Sequence, residues 1–141
     1  VSGRLHDLGK VSYRTHVLAE ARSLSPRERA LTQRHPLLSW KFLEGLPVQG
    51  IDRDAILYHH ERVDGTGYLR KAGEEFPLSA KILAAAEVYQ ALTSPRPYRP
   101  AVPPDQAVAY LEDHRDTLFD ARVVDALIGV VGSPTPEASA V

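Results

Sequence analysis

Apolar residues recur along the chain at spacings of three and four, and strand-like alternation is essentially absent. Ser25-Pro26-Arg27-Glu28 reads as a capping box with Pro at the first helical position, and predicts a helix to about residue 34. A second helix is predicted from Pro36 to about Glu44, with Leu37, Trp40, Phe42 and Leu43 on its apolar face and Gly45 as its stop. Asp52 or Asp54 caps a third, running through Ile56, Leu57, His59 and His60. Ser79 is expected to cap a strongly apolar helix that carries Ile82, Leu83, Ala84, Ala85, Ala86, Val88, Ala91 and Leu92. Pro95, Pro97, Pro100 and Pro103 forbid regular helix until Pro104-Asp105 restarts one, with Ala107, Val108 and Leu111 facing inward. A last helix is predicted from about Asp120 to Val131. Residues 61–76 hold Gly65, Gly67 and Gly73 and read as one long loop, of a length that usually serves function. The expectation is an all-α fold, a helical bundle with one long Gly-containing loop. It forms a single domain over residues 1–131, with 132–141 as a disordered tail.

Composition narrows the function. The 141 residues carry 17 Lys and Arg against 18 Asp and Glu, a formal net charge of −1. That balance gives no global footprint for DNA or an anionic membrane. No stretch approaches the ~18 consecutive apolar residues of a membrane span, and the start lacks the apolar core of a signal peptide. A cytoplasmic location is therefore expected. The chain contains no Met, and Val1 to Asp7 reads as though a helix is entered midway. It also contains no Cys, which excludes disulfides, thiolate-held zinc or iron–sulfur clusters, and a Cys nucleophile. Any metal must be held by His, carboxylates and water.

Six histidines remain for that task, and four of them stand beside other ligand-type residues. His6 and Asp7 are adjacent, His35 precedes Pro36 at a helix junction, and His59-His60 run into Glu61. Each has a plainer reading: His35 as a capping histidine, His59-His60 as cations complementing a helix C-terminus. Glu87 sits amid Ala and Val, where an unpaired charge is costly, so it needs either a metal or an Arg or Lys partner. Successive helical residues are about 100° apart, so His59 and His60 on a regular helix would serve two neighbouring ions, or one ion and a supporting role. An adjacent His and Asp allow a bridging carboxylate. Together these suggest a dinuclear His/carboxylate site of the kind that activates water against phosphate esters. Lys10, one turn beyond His6, and Arg96 and Arg99, in a proline-stiffened segment, suit phosphate oxygens. His16 and His114 fit no motif and read as surface residues.

Three blocks resemble a known family. His6-Asp7-Leu8-Gly9-Lys10 is similar to the HD-x-G-K signature of HD-domain phosphohydrolases. The run from His59 to Tyr68 resembles the HHE-R-x-DG-x-GYP signature of their HD-GYP subfamily, and the run from Leu83 to Arg99 resembles a third block of it. The resemblance extends from residue 4 to about residue 128 and implies an HD-domain-like helical fold. It implies a bacterial signalling phosphodiesterase that hydrolyses cyclic di-GMP to pGpG or GMP with two or three divalent ions. Iron or manganese come first, with zinc, nickel or magnesium as alternatives. It further implies that His6, Asp7, His35, His59, His60 and Glu87 ligate metal. Asp7 and Lys10 would be catalytic, and Lys10, Gly67, Tyr68, Arg96 and Arg99 would bind substrate. Four departures stand out: Leu69 in place of the Pro of GYP, Val63 for a loop Trp, Glu87 for Asp, and Gln90 for a second Asp. The family also has an upstream helical segment with further ligands and core surface. Here that role is expected to fall to another part of the protein or to a partner chain, or else the site is degenerate. The implied partners are the cyclic dinucleotide, an upstream receiver or sensor domain, a diguanylate cyclase domain, or a second copy in a homodimer. The alternative to an enzyme is a module that binds nucleotide or a signalling partner without turnover.

Overall fold

The structure, a computed structural model, describes residues 1–13, 24–96 and 99–132. Its helices are α1 (Ser2–Leu5), α2 (Pro26–Thr32), α3 (His35–Glu44), α4 (Arg53–Tyr58), α5 (Leu78–Thr93), α6 (Pro104–Asp113) and α7 (Ala121–Val131). Short 3-10 segments at Leu8–Ser12 and Gly73–Glu75 join them. Among the described residues there is no strand, only the isolated bridges Arg96–Arg99 and Arg115–Phe119. The all-α expectation is borne out. His16, Pro97, Tyr98 and residues 133–141 lie outside the described residues, and the tail expectation with them.

The capping logic holds at three starts. Ser25 Oγ accepts from the Glu28 N–H, and the Glu28 carboxylate accepts from the Ser25 N–H. Of the two candidates for α4, Asp52 is the cap, accepting from Ala55 at 2.9 Å. Asp120 caps α7 by accepting from Arg122 at 3.0 Å. Ser79 does not cap α5. The helix starts two residues earlier, from Pro77, whose fixed φ of −72° leads into it and whose carbonyl accepts from Ala80 and Lys81. The Ser79 hydroxyl instead faces Asp52 and helps hold that carboxyl below its usual value.

Two further expectations are corrected. The inward face of α3 is His35, Pro36, Ser39 and Leu43, while Leu37 and Phe42 are exposed. The helix turns its polar Ser inward because Ser39 has two backbone partners there. α4 ends at Tyr58, so His59 is the residue that closes it and His60 lies beyond it.

α5 is the central helix, packing on α4 along one side and on α6 and α7 along another. One core cluster gathers Ala85, Leu111, Phe119, Val123 and Val124, and Val88 and Tyr89 of α5 pack onto it. Burying these side chains is what fixes α5 in place. The small residues Ala80, Ala84 and Ala85 let neighbours approach closely. Between α5 and α7 an apolar cleft of about 300 Å³ stays open, with Ile82 and Val130 largely exposed along it. No helix among the described residues is long and apolar enough to cross a membrane.

Candidate metal centre

The site starts where α1 ends. His6 and Asp7 leave that helix, and Ser39 of α3 holds the turn that follows. Ser39 Oγ accepts from the Gly9 N–H at 2.8 Å and donates to the His6 carbonyl at 2.6 Å. The turn lies so close to α3 that a Cβ at Gly9 would strike the His35 carbonyl and sit 2.8 Å from the Ser39 nitrogen. Only glycine fits there. His35 stands one helical turn before Ser39 on the same face of α3.

Three imidazoles are oriented in one way. Nδ1 of His6 is 2.7 Å from the Gly3 carbonyl, Nδ1 of His35 is 2.7 Å from that of Thr32, and Nδ1 of His59 is 2.6 Å from that of Ile56. A carbonyl can only accept, so each Nδ1 carries the proton, and in the neutral ring Nε2 is left as a bare lone pair. The Nε2 atoms converge. His35 Nε2 lies 3.3 Å from His59 Nε2 and 3.1 Å from His60 Nε2. Burial pushes His59 down to about 4 and His60 down to about 2, so both rings are neutral near pH 7.

The carboxylates complete the picture. Burial alone would raise the Asp7 carboxyl, but His35 and Lys10 together outweigh it and hold Asp7 well below the usual range. Asp7 is therefore ionised, with Lys10 Nζ at 2.7 Å from Oδ2. It turns Oδ1 toward His35 Nε2 at 3.2 Å and Oδ2 toward His6 Nε2 at 3.4 Å. Glu87, from the middle of α5, reaches 3.9 Å from both His6 Nε2 and His59 Nε2. Its neighbours are these imidazoles rather than an Arg or Lys ion pair, and burial raises its carboxyl above the usual 4.5.

Two overlapping donor sets result, His35–His59–His60 and His6–Asp7–His59, each with its donor atoms within 4.8 Å of one another. The end of α4 at Tyr58 explains how adjacent histidines share one set: off the regular helix, the rings are free of the 100° offset. His6 Nε2 and Asp7 Oδ1 are buried with no hydrogen-bond partner. Converging acceptors with nothing to accept from are unfavourable unless a cation stands among them. The donor set fits a divalent metal of the nitrogen- and oxygen-binding kind.

At the edge of the cluster the Tyr68 ring lies 4.4 Å from the His60 ring, with 40% of the residue exposed. The loop carrying it folds back onto the His60–Arg62 backbone, where a Cβ on Gly67 would overlap Glu61 Cα. Arg96 and Arg99 are placed differently. Their backbones bridge each other, and Arg99 gives its guanidinium to the Ala91 carbonyl at 2.8 Å. Neither pairs with a residue of the cluster among the described residues. Sequence reasoning missed Ser39 and Glu61. Ser39 was detectable only by its four-residue spacing from His35, and Glu61 only by its place beside the two histidines.

The HD domain family matches residues 1–123. The chain belongs to that family. The HD-domain chain is 43% identical over 127 residues to the cyclic di-GMP phosphodiesterase response regulator RpfG of Xanthomonas campestris, covering 88% of this chain and 34% of that protein. It is 36% identical over 125 residues to the 3′3′-cGAMP-specific phosphodiesterase 3 of Vibrio cholerae, covering 87% and 27%. A solved HDG"Y"P protein from Bdellovibrio bacteriovorus matches its fold with a TM-score of 0.66 at 21% identity, over 92% of this chain and 41% of that one. With the three sequence blocks, these place the HD domain in the HD-GYP subfamily. The chain spans about a quarter to a third of the length of the curated relatives it matches.

Proposed function

We propose that this HD domain is the hydrolytic part of a metal-dependent phosphodiesterase acting on cyclic dinucleotides, with cyclic di-GMP as substrate and pGpG or GMP as product. The observation that carries the reading is the convergence of four imidazoles and Asp7 with buried acceptor atoms left unpaired. The names of the relatives supply the substrate class. His6, Asp7, His35, His59, His60 and Glu87 would hold the metal. Glu87, at 3.9 Å from both His6 and His59, would add a second carboxylate to these donors. Asp7, with one oxygen toward His35 and the other toward His6, would contribute its carboxylate to the metal. Iron or manganese is the proposed occupant, in two sites at least.

When bound, such ions supply the Lewis acidity that lowers the pKa of water and offsets charge on a phosphoryl oxygen. The chain's own residues do the rest. The carbonyl-locked imidazoles keep their donor atoms aimed without reorganisation. Lys10, a third exposed in its side chain, can give its ammonium to a non-bridging phosphate oxygen while remaining within reach of Asp7. Tyr68 lines the approach beside His60 and offers a flat face to the nucleotide.

The test uses the full-length protein loaded with iron or manganese, with cyclic di-GMP and 3′3′-cGAMP supplied separately and products resolved by chromatography. Hydrolysis is expected, and Asp7→Asn should lower it by about a hundredfold or more. Nucleotide binding with no turnover of any cyclic dinucleotide would overturn the enzymatic reading in favour of a signalling module.

A further inference from the structure

Leu69 stands where the family motif has Pro, and Pro has no backbone N–H to give. In this chain that N–H is present and in use. It donates at 2.7 Å to Oε1 of Glu61, and the Lys71 N–H donates at 2.6 Å to Oε2 of the same carboxylate. Glu61 is 1% exposed, so its charge is fully withdrawn from water and rests on these contacts. Hydrogen bonds from N–H groups to a buried carboxylate are about twice as strong as neutral ones. Between the two anchored amides and Gly67, which is pressed onto Glu61 Cα, the chain has little freedom, and Tyr68 lies inside that span. Its ring is thereby held 4.4 Å from His60, the residue next to Glu61 in sequence.

We infer that Glu61 is a positioning residue: a buried carboxylate clamp that fixes Tyr68 against His60 through the amides of Leu69 and Lys71. The clamp replaces the stiffness that Pro would have given the loop. Its role in substrate binding rests on the phosphodiesterase reading above; its role in ordering the loop does not. The Glu61 carboxylate takes its hydrogen bonds from Leu69 and Lys71 and from no residue of either donor set among the described residues, so it acts on binding through Tyr68. The test is Glu61→Gln in the full-length, metal-loaded protein. An amide offers one acceptor where two donors wait, so one of the two N–H groups is released.

Hydrogen exchange at the amides of residues 69 and 71 should quicken about tenfold or more. Metal content should stay as in the parent, and KM should rise severalfold with kcat nearly unchanged. Tyr68→Ala should raise KM similarly, and the double variant should be no worse than Tyr68→Ala alone, because both changes remove one effect. Should Glu61→Gln fail to fold, Glu61→Asp keeps both oxygens but retracts them, and the same ordering of outcomes applies with smaller shifts. Unchanged exchange at 69 and 71 would overturn the clamp. Additive KM effects, or lost metal, would overturn action through Tyr68. A parent protein that hydrolyses nothing overturns the phosphodiesterase reading alone, and exchange still decides the clamp.

Discussion

Ser39 shows how much of a metal site can hang on one hydroxyl. Its replacement by Ala removes two hydrogen bonds and leaves the Gly9 N–H facing α3 without an acceptor. A loss of about 1–3 kcal/mol is expected, read as a lower urea midpoint at unchanged slope. Metal affinity, measured against a competing chelator, should fall about tenfold to a hundredfold because the His6–Asp7 turn loses its anchor. Gly67→Ala should act by contact alone. Its Cβ would come to 2.7 Å from the His60 carbonyl and 2.9 Å from the Arg62 nitrogen, all backbone that cannot yield cheaply. A cost of about 1–3 kcal/mol or more is expected in thermal unfolding. The residues of the donor sets were legible from the sequence because His and Asp are chemically scarce and here come in pairs. Ser39 and Glu61 were not, since a serine on a helix and a glutamate after a helix normally face water. Only the third dimension shows their partners.

At the scale of elements, starts were easier to read than ends. A capping box or an Asp before an apolar run has a local cause, so Ser25 could be assigned by inspection and the start of α4 narrowed to Asp52 or Asp54. The end of α4 has none: Tyr58, His59, His60 and Glu61 all tolerate helix, and burial of Glu61 and the pull of the loop amides decide the exit. Asp120 offers a test at this scale. It caps α7 and meets the buried Lys81 ammonium at 3.2 Å, while Glu74 meets the same ammonium from an exposed position. Arg122 first, and Lys81 with it, hold the Asp120 carboxyl well below its ordinary 3.8. The folded state therefore takes up this proton less readily than the unfolded chain. The stability so gained is complete above the ordinary value of 3.8 and drains away as pH falls below it. Asp120→Asn keeps the capping oxygen and removes the charge. Its deficit against the parent protein, measured by urea unfolding, should be plain at pH 7 and narrow at pH 3.

For the whole molecule, the donor sets draw on α3 and on the turns that leave α1 and α4, so occupancy would tie together segments far apart in sequence. A ligand that binds only the folded state adds about 2.7 kcal/mol at a hundred times its Kd. Removal of metal by a chelator should accordingly lower the unfolding temperature, and re-addition should restore it in proportion to the logarithm of free metal. The Nδ1–carbonyl pattern carries this further. His6, His35 and His59 take their direction from carbonyls three residues earlier, so none of these three rings can swivel without giving up that hydrogen bond. An ion of different radius would then be met, at these three donors, by a shift of the helices that carry them rather than by ring rotation. Discrimination among first-row metals with like affinity for nitrogen and oxygen thereby becomes a mechanical property, set by how stiffly those helices resist sliding.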